Sequence, residues 1–115
     1  MNRDTVESSE AGAPDRRNAI YEVFNPDYSV GAACDHNGMI VGLHVGEEVR
    51  QNTDDWLADE LLRVARLAHL KSQVGRRAEL LHNGASPDVA DDLGLPTEAA
   101  YILREKIEFG TDYWS

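Results

Sequence analysis

The feature that most constrains the fold of this chain is a run without proline that extends from Asp54 to about His82. Asn52 or Thr53 precedes the run, and either side chain suits a helix N-cap. Acidic residues fill the beginning of the run and basic residues follow them, an order that suits the helix macrodipole. The run therefore predicts one long helix, which needs a second layer of structure to pack against.

The apolar residues of this predicted helix form two stripes that are displaced from each other around the helix axis. The first stripe contains Leu57, Leu61, Val64, Ala65 and Ala68, and the second contains Leu62, Leu67, Leu70, Val74, Ala78 and Leu81. Together they form an arc wider than one small sheet covers, so we expect the last helix or a second copy of the chain to cover the remainder. Gly75 lies inside the helix, where glycine costs about 1 kcal/mol relative to alanine, and it indicates a bend or a close crossing.

Three runs rich in β-forming residues precede the helix, at residues 19–24, 28–34 and 39–45. Asn25-Pro26-Asp27 is a turn signal, and Asn37-Gly38 favours the positive φ angles of a tight hairpin turn. Alternation gives the second run an apolar face of Tyr28, Val30, Ala32 and Cys34, and the third run one of Met39, Val41, Leu43 and Val45. We expect an antiparallel hairpin whose apolar face packs on the long helix.

The C-terminal part of the chain predicts two further helical segments. Ser86-Pro87 supplies an N-cap followed by proline at the first helical position, which indicates a short helical turn through Leu93. The last helix is expected from Glu98 to about Phe109, before Gly110, with its inward face made of Ala99, Ile102, Leu103 and Ile107.

These elements predict an α+β fold: a small antiparallel β-sheet of about three strands, packed by one long α-helix plus a C-terminal helical segment. Residues 1–18 contain few large apolar side chains and are expected to form a disordered N-terminal tail. Residues 19–115 are expected to form a single α+β domain.

Composition narrows the classes of function. The 115 residues include 21 acidic and 11 basic side chains, a formal charge of −10, which disfavours binding to nucleic acid or anionic lipid. The chain has no apolar run of about 18 residues, and its first twenty residues are rich in charge. Neither membrane insertion nor a secretory signal peptide is expected, and a cytoplasmic location follows as the default, with export left open.

The chain offers little that predicts catalysis. Asp54-Asp55 and Asp91-Asp92 suit helix caps and solvated turns, since adjacent residues on a helix point in different directions. No two of the four histidines have metal-ligand spacing, and Cys34 alternates with core residues of a strand. We therefore predict no catalytic residue, no cofactor and no metal.

Two surfaces of the long helix and the C-terminus are candidates for protein contacts. The predicted partner or dimer interface contains Leu57, Leu61, Val64, Ala68, Tyr113 and Trp114. A basic band also lies on the helix, in which Arg63, Arg66 and Arg77 are candidate contacts for an acidic partner; the alternative is a solvated helix flank. These patterns favour protein partners and a homodimer.

Several motifs occur in one order along the chain: Asn25-Pro26, the hairpin YSVGAACDHNGMIVGLHV, the helical segment LADELLRVARLAHLKSQ, then LPTEAA and FGTDY. This order, over about residues 20–113, resembles mycobacterial type VII (ESX) secretion-associated proteins of the EspD and EspH kind. The resemblance implies a non-enzymatic, cytosolic, chaperone-like accessory protein that binds or stabilises secretion substrates.

The order of a hairpin followed by a long helix also resembles the YbaB fold. That resemblance implies a YbaB-like dimer and gives the alternative function, a nucleoid-associated DNA-binding protein that uses the basic band.

Overall fold

The computed structural model describes residues 17–110. Three strands come first: β1 (Ile20–Phe24), β2 (Val30–Asp35) and β3 (Ile40–Val45). A 3-10 helix at Glu47–Gln51 leads into three α-helices, α1 (Asp54–His82), α2 (Pro87–Asp92) and α3 (Glu98–Phe109). Most of the predicted tail, together with Tyr113 and Trp114, lies outside the described residues.

The three strands form one antiparallel sheet in the order β1-β2-β3, which confirms the predicted α+β architecture. Gly38 has a φ of 85°, but Asn37 does not have a positive φ, so only one of the two positive angles predicted for the Asn-Gly turn is confirmed. The carboxylate of Asp35 closes this turn by accepting hydrogen bonds from the backbone N–H groups of Asn37 at 2.9 Å and Met39 at 3.0 Å.

A β-bulge changes the predicted apolar face of the third strand. Ala33 pairs with Gly42, but its neighbour Cys34 pairs with Ile40, so Val41 is an extra residue in β3. Residues that pair directly in a sheet point to the same face, so the helix side of β3 consists of Ile40, Leu43 and Val45. The prediction that Met39 and Val41 belong to this face was wrong, because simple alternation does not allow for the extra residue.

The core lies between the sheet and α1. Its buried apolar residues are Val23, Val30, Ala32 and Cys34 of the sheet, Val49 of the 3-10 helix, Val64, Leu67 and Ala68 of α1, and Tyr101 of α3. Cys34 is fully buried, as its strand pattern predicted. The buried face of α1 takes residues from both predicted stripes, because the sheet packs along the line between them.

Two polar links fix α1 along the sheet. Near its beginning, Glu60 accepts a hydrogen bond of 2.9 Å from the side-chain amide of Asn25, which follows β1. Near its end, Glu79 lies 2.9 Å from Nε2 of His36, whose Nδ1 lies 3.0 Å from the hydroxyl of Tyr21. The helix therefore runs from the end of β1 back towards its beginning.

The C-terminal helices have capped ends, of which Ser86 and Gly110 were predicted. The side chains of Ser86 and Thr97 accept hydrogen bonds at the N-termini of α2 and α3, and Gly110 ends α3 in the left-handed conformation. The predicted inward face of α3 was wrong, because Ala99, Ile102, Leu103 and Ile107 are exposed. The buried residue is Tyr101, and the side that faces α1 is partly polar.

Candidate protein interface

The edge strand β3 has an uncovered apolar side. Helix α1 packs against β1 and β2. The three side chains of β3 on the helix side of the sheet are therefore left in solvent, with Ile40 46%, Leu43 60% and Val45 46% exposed. Apolar residues on the core side of a sheet are normally buried, so this side of β3 is a candidate contact surface that the other described residues do not cover.

The flank of α1 that faces β3 extends this surface. Leu62 is 50% exposed, and Ala65 is half-buried against the core. A shallow depression of about 320 Å³ lies where helix and strand meet, between Ile40 and Ala65, and its lining is mostly apolar. We call this surface the open face and define it as Ile40, Leu43, Val45, Leu61, Leu62 and Ala65.

The open face contains part of the predicted interface. Leu61 belongs to it, and Leu57 is half-buried against the core one turn earlier. Val64 and Ala68 are fully buried, so they serve the core of the chain and offer no surface to a partner. These two residues are buried because they lie on the line where α1 meets the sheet.

The basic band is largely engaged within the chain. Arg63 forms an ion pair of 2.8 Å with Glu60 and one of 3.6 Å with Glu108. Arg77, whose side chain is only 11% exposed, donates 2.7 Å hydrogen bonds to Asp91 and to the carbonyl of Leu95.

Among the three candidate contacts, Arg63 and Arg77 thus have acidic partners inside the chain. Arg66 is exposed and has no ion pair within residues 17–110. Arg66 is therefore more accessible to an acidic partner than Arg63 or Arg77.

Two open clefts of about 470 and 510 Å³ lie on the other side of α1, next to β1. Lys71, Tyr101 and Glu105 line both. The ammonium of Lys71 donates to the carbonyl of Glu22 at 3.1 Å, and the hydroxyl of Tyr101 donates to Glu105 at 3.1 Å. Burial and the neighbouring carboxylate raise the pKa of Tyr101, so its hydroxyl stays protonated and is a poor proton donor in catalysis.

Cys34 and His36 are buried and serve the fold. Burial, with the nearby charge of Asp35, raises the pKa of Cys34, which disfavours the thiolate that a nucleophile needs. Both ring nitrogens of His36 have partners, in Tyr21 and Glu79. No group of three or more potential metal-binding side chains occurs among the described residues.

Ile40 and Leu43 were not among the predicted interface residues, although the sequence of β3 indicates that they are candidates. Natural edge strands usually contain a charge or proline that blocks pairing with another strand. The sequence of β3, IVGLHV, contains neither. Such a strand at the edge of a sheet is a candidate site for contact with another chain.

Within residues 17–110, none of the helices has the length and hydropathy of a membrane span. Comparisons of the chain with protein-family models, with curated proteins and with solved structures find no match.

Proposed function

We propose that this protein is a non-enzymatic, chaperone-like accessory factor of type VII (ESX) secretion, of the EspD and EspH kind, that binds a secretion substrate in the cytoplasm. The order of sequence motifs suggests the pathway. The observation that carries the binding role is the open face, an apolar surface between α1 and the edge strand β3 that residues 17–110 leave uncovered.

The shape of the open face favours a helical segment of the substrate. Neighbouring helices in a layer pack with their axes about 8 to 10 Å apart, so a helix placed beside α1 lies above β3. In that position its apolar stripe contacts Leu43 and Val45 of the sheet beneath it and Leu62 of α1 beside it. Complete burial of one such side chain contributes about 1.5 to 3 kcal/mol, so several half-exposed side chains support an affinity useful for a transient complex.

Charge further specifies the substrate. The chain carries a formal charge of −10, and Asp54, Asp55 and Asp59 are exposed at the beginning of α1. An amphipathic helix with basic residues beside its apolar stripe is favoured over an acidic one. The substrate class is therefore a secreted protein with an amphipathic, flank-basic helix.

Co-expression with type VII secretion substrates tests this proposal. We expect the protein to raise the soluble fraction of a substrate and to co-purify with it in a defined ratio. Leu62→Glu, which places a charge on the open face, is expected to abolish both effects. Leu103→Glu is the matched control, since Leu103 is 59% exposed and Leu62 50% exposed, and α3 lies on the other side of α1. Equal retention of substrates by Leu62→Glu and the unsubstituted protein would contradict the role of the open face.

The DNA-binding alternative has less support, because Arg63 and Arg77 are already paired with carboxylates. A mobility-shift assay with duplex DNA at low salt distinguishes the two functions. We expect no shift. A shift whose salt dependence decreases in Arg66→Ala would favour the alternative.

A further inference from the structure

The free edge of β3 presents backbone groups ready to pair with another strand. Gly46 donates its N–H to the carbonyl of Ser29 at 2.7 Å, and Val45 pairs with Val30 in the next position. In an antiparallel ladder the direction of the backbone groups alternates. The N–H and C=O groups of Val45 and Leu43 therefore point away from β2, towards the open edge.

The two edges of the sheet differ in their protection. At the β1 edge, Lys71 donates to the carbonyl of Glu22, and Tyr101 packs nearby. At the β3 edge, the described residues supply no such cover, and the strand itself has no charge or proline. Exposed edges of this kind promote pairing between chains unless the protein blocks them.

The charges at the two ends of β3 are complementary in one particular pairing. Arg66 lies beside Ile40 at the beginning of the strand, and the exposed Glu47 and Glu48 follow its end. An antiparallel neighbour of the same sequence places its end next to this beginning. Arg66 of each copy then approaches Glu47 and Glu48 of the other, while the uncharged strands avoid the repulsion expected between chains of charge −10.

We propose that a second copy of this chain pairs its β3 antiparallel to the first, which forms a six-stranded sheet across a two-fold axis. Leu43 then lies near its own counterpart, and Ile40 lies near Val45 of the second copy. Such cross-strand apolar pairs stabilise antiparallel sheets.

The pairing completes the substrate site. In the dimer, β2 and its counterpart are three strand spacings apart, about 14 Å, and the two α1 helices above the sheet are separated by about 14 to 19 Å. One helix packed between two others needs about 16 to 20 Å between the outer axes. A single copy provides one wall and half the floor of this groove, and the second copy provides the rest. The pairing itself stands on the strand edge, whereas the occupant of the groove rests on the proposed function.

Light scattering and sedimentation velocity of the full chain test the pairing. We expect a dimer of the 12.8 kDa chain at tens of micromolar. Leu43→Lys, which brings two ammonium groups together at the axis, is expected to weaken association by roughly ten-fold or more. Val45→Pro removes an outward N–H without removing a bond to β2, so it is expected to give a monomer with the same circular dichroism. Leu103→Lys is the matched control, because Leu43 and Leu103 are 60% and 59% exposed.

Charge reversal tests the orientation of the second copy. Arg66→Glu is expected to weaken the dimer by about two- to five-fold, as for an exposed ion pair, and adding Glu47→Arg with Glu48→Arg is expected to restore it. A wild-type chain that stays monomeric at a hundred micromolar, or equal weakening by Leu103→Lys and Leu43→Lys, would overturn the pairing. Substrate binding by such a monomer would leave the proposed function standing, whereas a dimer that retains no substrate would refute the function and support the pairing.

Discussion

The side-chain amide of Asn25 donates to a carboxylate oxygen of Glu60 at 2.9 Å, across 35 residues of sequence. The same amide group donates to Ser29 at 3.0 Å, and its oxygen accepts from the N–H of Val30 at 3.0 Å. Arg63 donates to the other oxygen of Glu60 at 2.8 Å. A carboxylate that is only 7% exposed thus has both oxygens satisfied, and it fixes α1 over the end of β1.

Glu60→Ala is expected to lower the free energy of unfolding by about 2 to 3 kcal/mol, because the buried amide of Asn25 loses an acceptor and Arg63 loses a charged partner. The measurement is urea denaturation at neutral pH. Asp59→Ala, at the exposed neighbouring position, is the control and should change stability by less than about 0.5 kcal/mol. Equal effects of the two substitutions would show that the Asn25 contact contributes little.

Gly75→Ala is expected to destabilise the protein, although alanine is the better helix former by about 1 kcal/mol. A Cβ at this position would lie 2.6 Å from Cζ of Tyr21 and still closer to its hydroxyl, so the strand and helix would have to separate. We expect a loss of about 1 to 3 kcal/mol in the free energy of unfolding. Gly42→Ala, where the nearest atom to the new Cβ would be Cβ of Ala33 at 3.9 Å, is the tolerated control. An increase in melting temperature on Gly75→Ala would refute this close packing.

Stability is expected to decrease in alkaline solution. Burial raises the pKa of Cys34 above its ordinary 9.0 and that of Tyr101 above its ordinary 10.0, so the folded state holds both protons more tightly than the unfolded state. This contribution is complete below the ordinary pKa of each group and decreases as the pH rises towards the raised value. Denaturation at pH 7 to 11 should show the decrease beginning near 9, and Cys34→Ala should flatten its first part. The comparison uses the slope of the free energy of unfolding against pH, because the substitution also lowers stability at every pH by removing packing.

Arg77→Ala is expected to lower the free energy of unfolding by about 1 to 2 kcal/mol, because α2 loses a charge-assisted contact and the carbonyl of Leu95 loses a donor. Arg66→Ala, on the same helix but exposed, should leave the stability of the monomer almost unchanged. The measurement is the thermal melting of both variants at a protein concentration at which the chain is monomeric. The opposite ranking would mean that Arg66, and not Arg77, holds the fold.

Local sequence signals predicted the three strands and the three α-helices of this fold, but not the 3-10 helix at Glu47–Gln51. Three of the predicted signals depend on a side chain or φ angle within one turn of chain: the left-handed Gly38, the N-caps at Thr53 and Ser86, and the stop at Gly110. Such requirements are visible in the sequence because no distant residue contributes to them. The α+β architecture followed from these elements and from their order.

The missed features depend on distant contacts. The bulge opposite Ala33 shifts Ile40 onto the helix side of β3, and alternation alone gives no sign of it. Helix α3 turns Tyr101 inward and contributes Glu108 to a link with Arg63, so a partly polar side is buried and the more apolar side is exposed. Apart from Leu61, the residues of the open face were missed for a related reason, since their exposure depends on how far α1 extends across the sheet.

Strands that are consecutive in the chain are also neighbours in the sheet, which affects how the sheet forms during synthesis of the protein. Each strand pairs with the next one in the chain, so the sheet itself is built from contacts between consecutive segments, and α1 then follows and covers it. Topologies of this kind fold rapidly, and the N-terminal part of a chain leaves the ribosome first. The three strands are therefore able to pair while α2 and α3 are still being translated.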